Sequence, residues 1–399
     1  MNHISIISLI GGFSIAAEQI FQTPPQAVIS YTPFYANDSL YLNYLKQRGY
    51  DIPYYQLDKL NNYDIFKQYK DIDIVTSIPP CSGISSASSL KCNKAEAPAN
   101  EWMIRSSEFS LQHIKPKIHV FENAPGLYSN ICEPVRQRLI TIASTYNYGI
   151  TFYKTNTLLH GIPQKRIRTY VIFSKNTNAP ILHYINKEMI PLSEYLKQIL
   201  KEASLQDSYF TDNPKFGEYE TIKWLQNELG ADWRNIMLEH KDHIYTYNYL
   251  VDTGLIYKFK KWAENHEFID PKILACVNHV IKKTEAGKNF RSSYQSICLD
   301  KNYTNTVIGG MMSCNAHPTE DRILNIREIM TLMGLPYDFE LKNKQEWAKI
   351  PQNVPRQTSE DIIKECVAII EGNRKFHTDK VLMIDNTKPN IALKAMNLF

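Results

Sequence analysis

The sequence predicts an α/β protein, with a doubly wound parallel sheet and a second, smaller domain. Three observations predict it. The first ~175 residues alternate short β-rich runs with helical patterns, the signature of strands joined by crossover helices. From ~176 to ~319 the periodicity weakens and the chain becomes rich in Tyr, Lys and Asn. From ~320 to the end helical patterning returns. With 399 residues the chain is long enough for two cores. The expected division is 1–175 plus 320–399 for the sheet domain and 176–319 for the other.

The elements follow in order. Ile4–Leu9 reads as a buried strand, Gly11-Gly12 as a turn, and Phe13 as the start of a helix. The apolar stretch Ile4–Ala17 ends in Ala16-Ala17-Glu18, a sequence a signal peptidase could cut. No Lys or Arg precedes it, and it is too short to span a bilayer, so strand and helix is the better reading. Further strands are expected at Gln26–Ser30, Ile72–Ser77, Ile118–Phe121, Ile150–Tyr153 and Thr169–Ser174, with an amphipathic helix at Pro134–Tyr146. Ser82–Asn100, rich in Ser and Ala, reads as a surface loop; attached to a reactive group, it would close over a substrate. Leu324–Met333 and Ser359–Glu371 read as helices.

A net charge of +4 is mild, so any nucleic-acid surface must be a local patch. The best candidate is Tyr257-Lys258-Phe259-Lys260-Lys261-Trp262, which interleaves rings and cations; Lys282-Lys283 and Lys288-Asn289-Phe290-Arg291 add charge. The seven cysteines are odd in number, scattered, and form no Cys-x-x-Cys pair. That favours a reduced, cytoplasmic protein without a structural metal. No segment approaches transmembrane length, so no membrane partner is expected.

Reactive residues concentrate at predicted strand ends. Pro79-Pro80-Cys81 closes the run Ile72–Ile78, and proline stiffens the turn that carries the thiol. Ile118-His119-Val120-Phe121 delivers Glu122-Asn123. Gln164-Lys165-Arg166-Ile167-Arg168 puts two arginines on one strand face. In a parallel sheet ligands bind at the carboxyl ends of the strands. A nucleophile, an acid and paired arginines suit addition to an electron-poor ring held by its carbonyl.

These motifs, in this order and spacing, resemble those of the DNA cytosine-5 methyltransferases over nearly the whole chain. Pro79-Pro80-Cys81 is similar to the family's Pro-Cys, Glu122-Asn123 to its Glu-Asn with Ala124 where valine is usual, and Gln164–Arg168 to its Gln-x-Arg-x-Arg. His317–Pro336 resembles the segment closing its recognition domain. The resemblance implies a Rossmann-like methyltransferase fold with a smaller target-recognition domain, acting on double-stranded DNA with S-adenosylmethionine. Cys81 would add to C6 of a flipped cytosine, protonated Glu122 would hold N3 and the exocyclic amine, and Arg168 would hold O2. Arg166 would steady the nucleophile loop or the nearby backbone. Ser82, Gly83, Lys258, Lys260 and Lys261 would touch DNA, and Arg327 would orient the recognition domain. Gly11, Gly12, Phe13, Glu18, Tyr31, Asp58, Pro80 and Asn353 are the candidate cofactor contacts.

The cofactor motifs depart from the family. Ser5, Ile7 and Leu9 stand at the Asp, Phe and first Gly of its Asp-x-Phe-x-Gly-x-Gly-Gly. Tyr31 stands near the place of the acidic residue that binds ribose, and Gln352-Asn353 replaces Gly-Asn. On the base side Ser82 replaces a Gln. Three readings follow: a cytosine-5 methyltransferase with a divergent cofactor site; a DNA-binding, base-flipping homologue that does not use S-adenosylmethionine and pairs with a cofactor-competent subunit; or a chain that delivers a different electrophile to C5.

Overall fold

The computed structural model describes residues 1–85, 94–199, 217–241, 245–267, 271–287, 302–308 and 315–388. They form two compact units. One comprises Met1–Ile162, Arg166–Met189 and Met333–Phe399; the other comprises Pro163–Lys165 and Ile190–Leu332.

The first unit is built on one eight-stranded sheet. Its strands are β1 (His3–Ile6), β2 (Val28–Ser30), β3 (Tyr54–Gln56), β4 (Ile74–Ser77), β5 (Ile118–Asn123), β6 (Gly149–Asn156), β8 (Ile167–Ser174) and β10 (Val381–Asp385). Two short strands, β7 (Gln164–Lys165) and β9 (Thr304–Asn305), pair in the other unit. The spatial order is β10-β6-β8-β5-β4-β1-β2-β3. The order reverses beside β1, and such a switch point opens a crevice at the strand ends.

Three features correct the expectation from sequence. β8 runs antiparallel to both neighbours, β5 and β6, so the sheet is not wholly parallel. It is buried on both faces, so its apolar run looks like that of a parallel strand. β3 and β10 escaped notice; β3 is only three residues long and half-buried, which gives too little pattern. β1 stops at Ile6, because Ile7 adopts a left-handed backbone with φ 50° and bends the chain out of the ladder.

Alternation along each strand feeds two cores. Val120, Tyr153, Tyr170 and Ile172 point to one face, where helix α1 (Gly12–Phe21) and the helix Arg356–Ile370 pack; Ile362, Ile363, Cys366 and Ile369 of the latter are buried there. Phe121, Phe152, Val171 and Phe173 point to the other, covered by Val135, Leu139 and Ile142 of the helix Glu133–Thr145. Burying each such side chain is worth about 1.5–3 kcal/mol, and together these clamp the strand ends in place.

The second unit is mainly helical. Its described helices are Gly217–Leu229, Trp233–Glu239, Thr246–Asp252, Leu255–Glu264, Pro271–Glu285 and Ile326–Leu332, with two short pieces within Leu192–Gln198. Its polar tie is Arg322, which forms a bidentate pair with Glu328 at 2.8 and 2.6 Å. Arg327, the arginine singled out from the sequence, sits half-buried on the last of these helices. No helix among the described residues is long and apolar enough to cross a membrane.

Candidate active site

Each group of the base-side constellation is placed by a strand end. β4 ends at Ser77, and Ile78-Pro79-Pro80 carries the chain to a half-buried Cys81. The Cys81 carbonyl accepts from the Ile84 and Ser85 amides at 3.1 and 2.9 Å, so a tight turn follows the thiol. Asn123, at the end of β5, donates from Nδ2 to the Pro79 carbonyl at 3.2 Å and accepts the Ala124 amide at Oδ1, 2.8 Å. It ties the exits of β4 and β5 together. Such a buried hydrogen bond is worth about 1 kcal/mol net, and more to leave unmade.

Glu122 precedes it, almost fully buried. Its Oε1 lies 2.7 Å from Arg168 Nε, a short buried ion pair. Arg168 is anchored by its Nη1, which donates to the Ile167 carbonyl at 2.7 Å. Arg166 is buried and turns elsewhere. Its Nη2 donates to the carbonyls of Pro351 and Asn353 at 2.9 and 3.0 Å. The sequence places Arg166 against the nucleophile loop or the backbone near the flipped nucleotide; these two hydrogen bonds tie it to the Pro351–Asn353 segment.

The four groups feel one another's charge. Burial pushes the Cys81 thiol pKa up, and Glu122 pushes it further, while Arg168 and Arg166 oppose both. Burial likewise raises Glu122 against the pull of Arg168 and Arg166. Burial, with the charge of Arg168, lowers Arg166 to about 9, so it stays cationic at neutral pH. Cations beside a thiol favour the thiolate. In this state they do not prevail, because the cost of burial and the neighbouring carboxylate outweigh them.

The predicted DNA contacts divide. Ser82 is exposed. Gly83 is buried, and a Cβ there would collide with the Asn100 side chain, so its role is packing. Lys258 and Lys261 are exposed and Lys260 is half-buried; Lys258 pairs with Glu228 at 2.5 Å and Lys260 with Glu264 at 3.6 Å. Part of the Ser82–Asn100 loop, the Lys288–Arg291 patch, and Cys92, Cys298 and Cys314 lie outside the described residues.

The candidate cofactor residues are not gathered in the same way. Gly11 has φ 93°, and a Cβ on it would strike the Tyr41 ring. Gly12 donates its amide to Asn353 Oδ1 at 2.8 Å, and a Cβ there would strike the same side chain. Both glycines serve close packing of α1. Phe13 is fully buried, edge-on to Tyr170 at 5.9 Å. Glu18 lies toward the far end of α1, paired with Arg48 at 2.6 Å and accepting from Tyr41; Glu18 and Arg48 help line a separate cavity of about 240 Å³. Tyr31 is 2 % exposed, with the Trp102 ring at 4.9 Å and the Arg105 guanidinium 5.1 Å from its centre. Asp58 is exposed and accepts the Thr32 amide at 2.9 Å. Pro80 is half-buried. Asn353 is buried, with Nδ2 lacking a hydrogen-bond partner.

Sequence reading missed Asp38. It lies on the helix Tyr35–Gln47, fully buried, and accepts from Ser8 Oγ at 3.0 Å and the Leu9 amide at 2.8 Å through Oδ1, and from Tyr54 Oη at 3.3 Å through Oδ2. Burial raises its pKa to about 6, against the lowering by those donors and Ser30. Nothing local in the sequence marks an acid in the first turn of a helix as the clasp of a distant loop.

The geometry can be set beside known proteins. The family model for C-5 cytosine-specific DNA methylases matches residues 1–368. Among solved structures, a protein named as a DNA modification methyltransferase encoded within an Escherichia coli prophage superposes with a TM-score of 0.56 at 16% identity, covering 93% of this chain and 99% of its own. The Dnmt2 methyltransferase of S. pombe gives 0.53 at 12% identity, covering 93% and 99%. The Entamoeba histolytica methyltransferase EhMeth gives 0.50 at 15%, covering 93% and 98%. No curated protein matches the sequence. The structures share the Rossmann-like methyltransferase fold, and the family model spans most of the chain; the chain belongs to the C-5 cytosine-specific DNA methylase family, whose members are DNA methyltransferase enzymes.

Proposed function

We propose that this chain draws a cytosine out of double-stranded DNA and adds the Cys81 sulfur to C6 of its ring, making C5 nucleophilic. One observation carries the reading: Cys81, Glu122, Arg166 and Arg168, brought from three separate strand ends, are electrostatically coupled around one point. Unstacking the base costs a few kcal/mol, which phosphate contacts elsewhere offset.

The proton bookkeeping is closed. Thiol and carboxylate both resist ionisation, and each raises the cost for the other. The Cys81 proton passes to the Glu122 carboxylate, and Glu122 delivers it to N3 as the S–C6 bond forms. The C5=C6 electron pair shifts toward C4 and N3, leaving an enamine with density at C5. Neutralising Glu122 removes the charge that holds the thiol protonated, while Arg166 and Arg168 remain. The thiolate is thus favoured only with a base in place. Arg168, held beside Glu122, donates to the ring carbonyl; Arg166 fixes the Pro351–Asn353 turn.

Family membership implies S-adenosylmethionine as methyl donor, but the residues at the ends of β1 and β2 do not fit it. Ile7, Leu9 and Tyr31 are buried, Asp38 occupies the loop amide, and Gly12 takes Asn353 Oδ1. No step is therefore drawn through the donor. The second unit, with Lys258, Lys260 and Lys261, is assigned to the DNA backbone. The test is a denaturing gel of the full chain with duplex DNA carrying 5-azacytosine, whose ring nitrogen makes C6 more electrophilic. A Cys81-dependent, donor-independent covalent band is expected; its absence from a folded, DNA-binding protein would refute the addition step.

A further inference from the structure

We propose that this chain's own side chains occupy its donor pocket, so that the chain by itself does not take up S-adenosylmethionine. The ends of β1 and β2 alone form this obstruction; the Cys81 chemistry has no part in it.

The loop after β1 keeps a left-handed path at Ile7, φ 50°, and Leu9, φ 52°, as well as at Gly11. A branched or bulky residue is rarely held there, since its Cβ crowds the following carbonyl. The path is that of a glycine loop, but the space a missing Cβ would leave to a ligand holds side chains. Ile7 is fully buried and Leu9 is 6% exposed, both within the core cluster that contains Tyr31. Tyr31, at the exit of β2, is sealed by Trp102, with Phe34 edge-on to Trp102 at 5.1 Å. A carboxylate where Tyr31 stands would present two charged acceptors to ribose hydroxyls; a phenol offers one neutral oxygen, and its ring packs on an indole.

The polar groups that a zwitterionic amino-acid moiety needs are also engaged within the chain. Asp38 Oδ1 takes both the Leu9 amide and the Ser8 hydroxyl. Asn353 spends Oδ1 on the Gly12 amide and its carbonyl on Arg166. What remains is the Asn353 Nδ2 and the exposed Asp58, too few to hold adenine, ribose and amino acid at once.

Isothermal titration of the full chain with S-adenosylmethionine, and separately with S-adenosylhomocysteine, tests this. No saturable heat up to millimolar ligand is expected. One-to-one binding at micromolar concentration would overturn the proposal. The triple variant Leu9→Gly, Tyr31→Glu, Trp102→Ala, with its fold checked by circular dichroism, should bind at least tenfold more tightly than the native chain. A folded variant with no gain would overturn the assignment of the obstruction to these side chains; should the triple variant not fold, Tyr31→Glu with Trp102→Ala alone must show the gain. The 5-azacytosine band, formed without donor, reports separately on the proposed addition step.

Discussion

The two halves of one sheet edge are built on opposite principles. At the ends of β4, β5 and β8, ionisable groups are crowded and left in tension: a thiol and a carboxyl both pushed up, with two arginines close by. At the ends of β1 and β2 Asp38 holds the Ser8 hydroxyl and the Leu9 amide, and apolar and aromatic side chains pack around them. Tension of the first kind costs stability and persists where a ligand relieves it. The second half holds tension of another kind, in backbone dihedrals at Ile7 and Leu9 that cost of order 1–2 kcal/mol each. A polar half poised for a substrate beside a half closed upon itself indicates that base chemistry and donor binding are separable here.

The largest effect expected from breaking the first half comes from Cys81→Ser. A serine hydroxyl is far harder to ionise than a thiol, so adduct formation with 5-azacytosine duplex should fall by at least about 10³-fold. Duplex affinity should change less than about twofold, because it rests on phosphate contacts. An undiminished adduct would transfer the chemistry to another residue.

Next is Glu122→Gln. The amide can still donate to N3 but cannot accept the thiol proton and pass it on, so the adduct rate should drop by about 10²-fold. Flipping, read from 2-aminopurine fluorescence beside the target, should persist. Equal rates in variant and native chain would break the proton path drawn above.

The contrast also explains what the sequence disclosed. The base half is written in short local strings: Pro79-Pro80-Cys81, Glu122-Asn123 and Gln164–Arg168 each place a reactive group within a few residues of a strand end. The donor half could be read only as departures, because its filling is tertiary. Asp38 reaches Leu9 from 29 residues away, and Trp102 meets Tyr31 from a helix after β4. Strand direction left no mark either. β8 is as apolar as its neighbours, and only the ladder reveals that it is antiparallel. Gly83 reads as a contact for DNA beside the nucleophile, and the sequence does not show that it also packs closely against Asn100.

The donor half can be probed through Asp38. Its pKa rises from 3.8 to about 6 on folding, so the folded chain holds this proton more tightly than the unfolded one. Stability from that proton is complete below about pH 4 and is lost as pH climbs through 6, by about 3 kcal/mol for a shift of roughly two units. Asp38→Asn keeps an acceptor for Ser8 and Leu9 and does not titrate. Its urea stability relative to the native chain should therefore increase between pH 4 and pH 7. Parallel curves would mean that the carboxylate is better compensated than its burial indicates.

The smallest expected effect asks whether DNA affinity is independent of both halves. Lys258 already neutralises Glu228 and Lys260 lies near Glu264, whereas Lys261 is exposed with no ion pair among the described residues. A lysine committed to a carboxylate must give up that partner to meet a phosphate, so part of its gain is lost; Lys261 has less to give up. Lys261→Ala should lower the slope of log affinity against log salt by about 0.9, the value for one duplex phosphate contact. Lys258→Ala should lower it by less. Both should weaken target and unrelated duplexes alike, by a few-fold at low salt, because phosphate contacts carry no sequence information. Neither should alter the rate at which bound 5-azacytosine becomes covalent. If Lys261→Ala leaves the slope unchanged, this helix does not touch the backbone, and the grip on DNA belongs elsewhere in the chain.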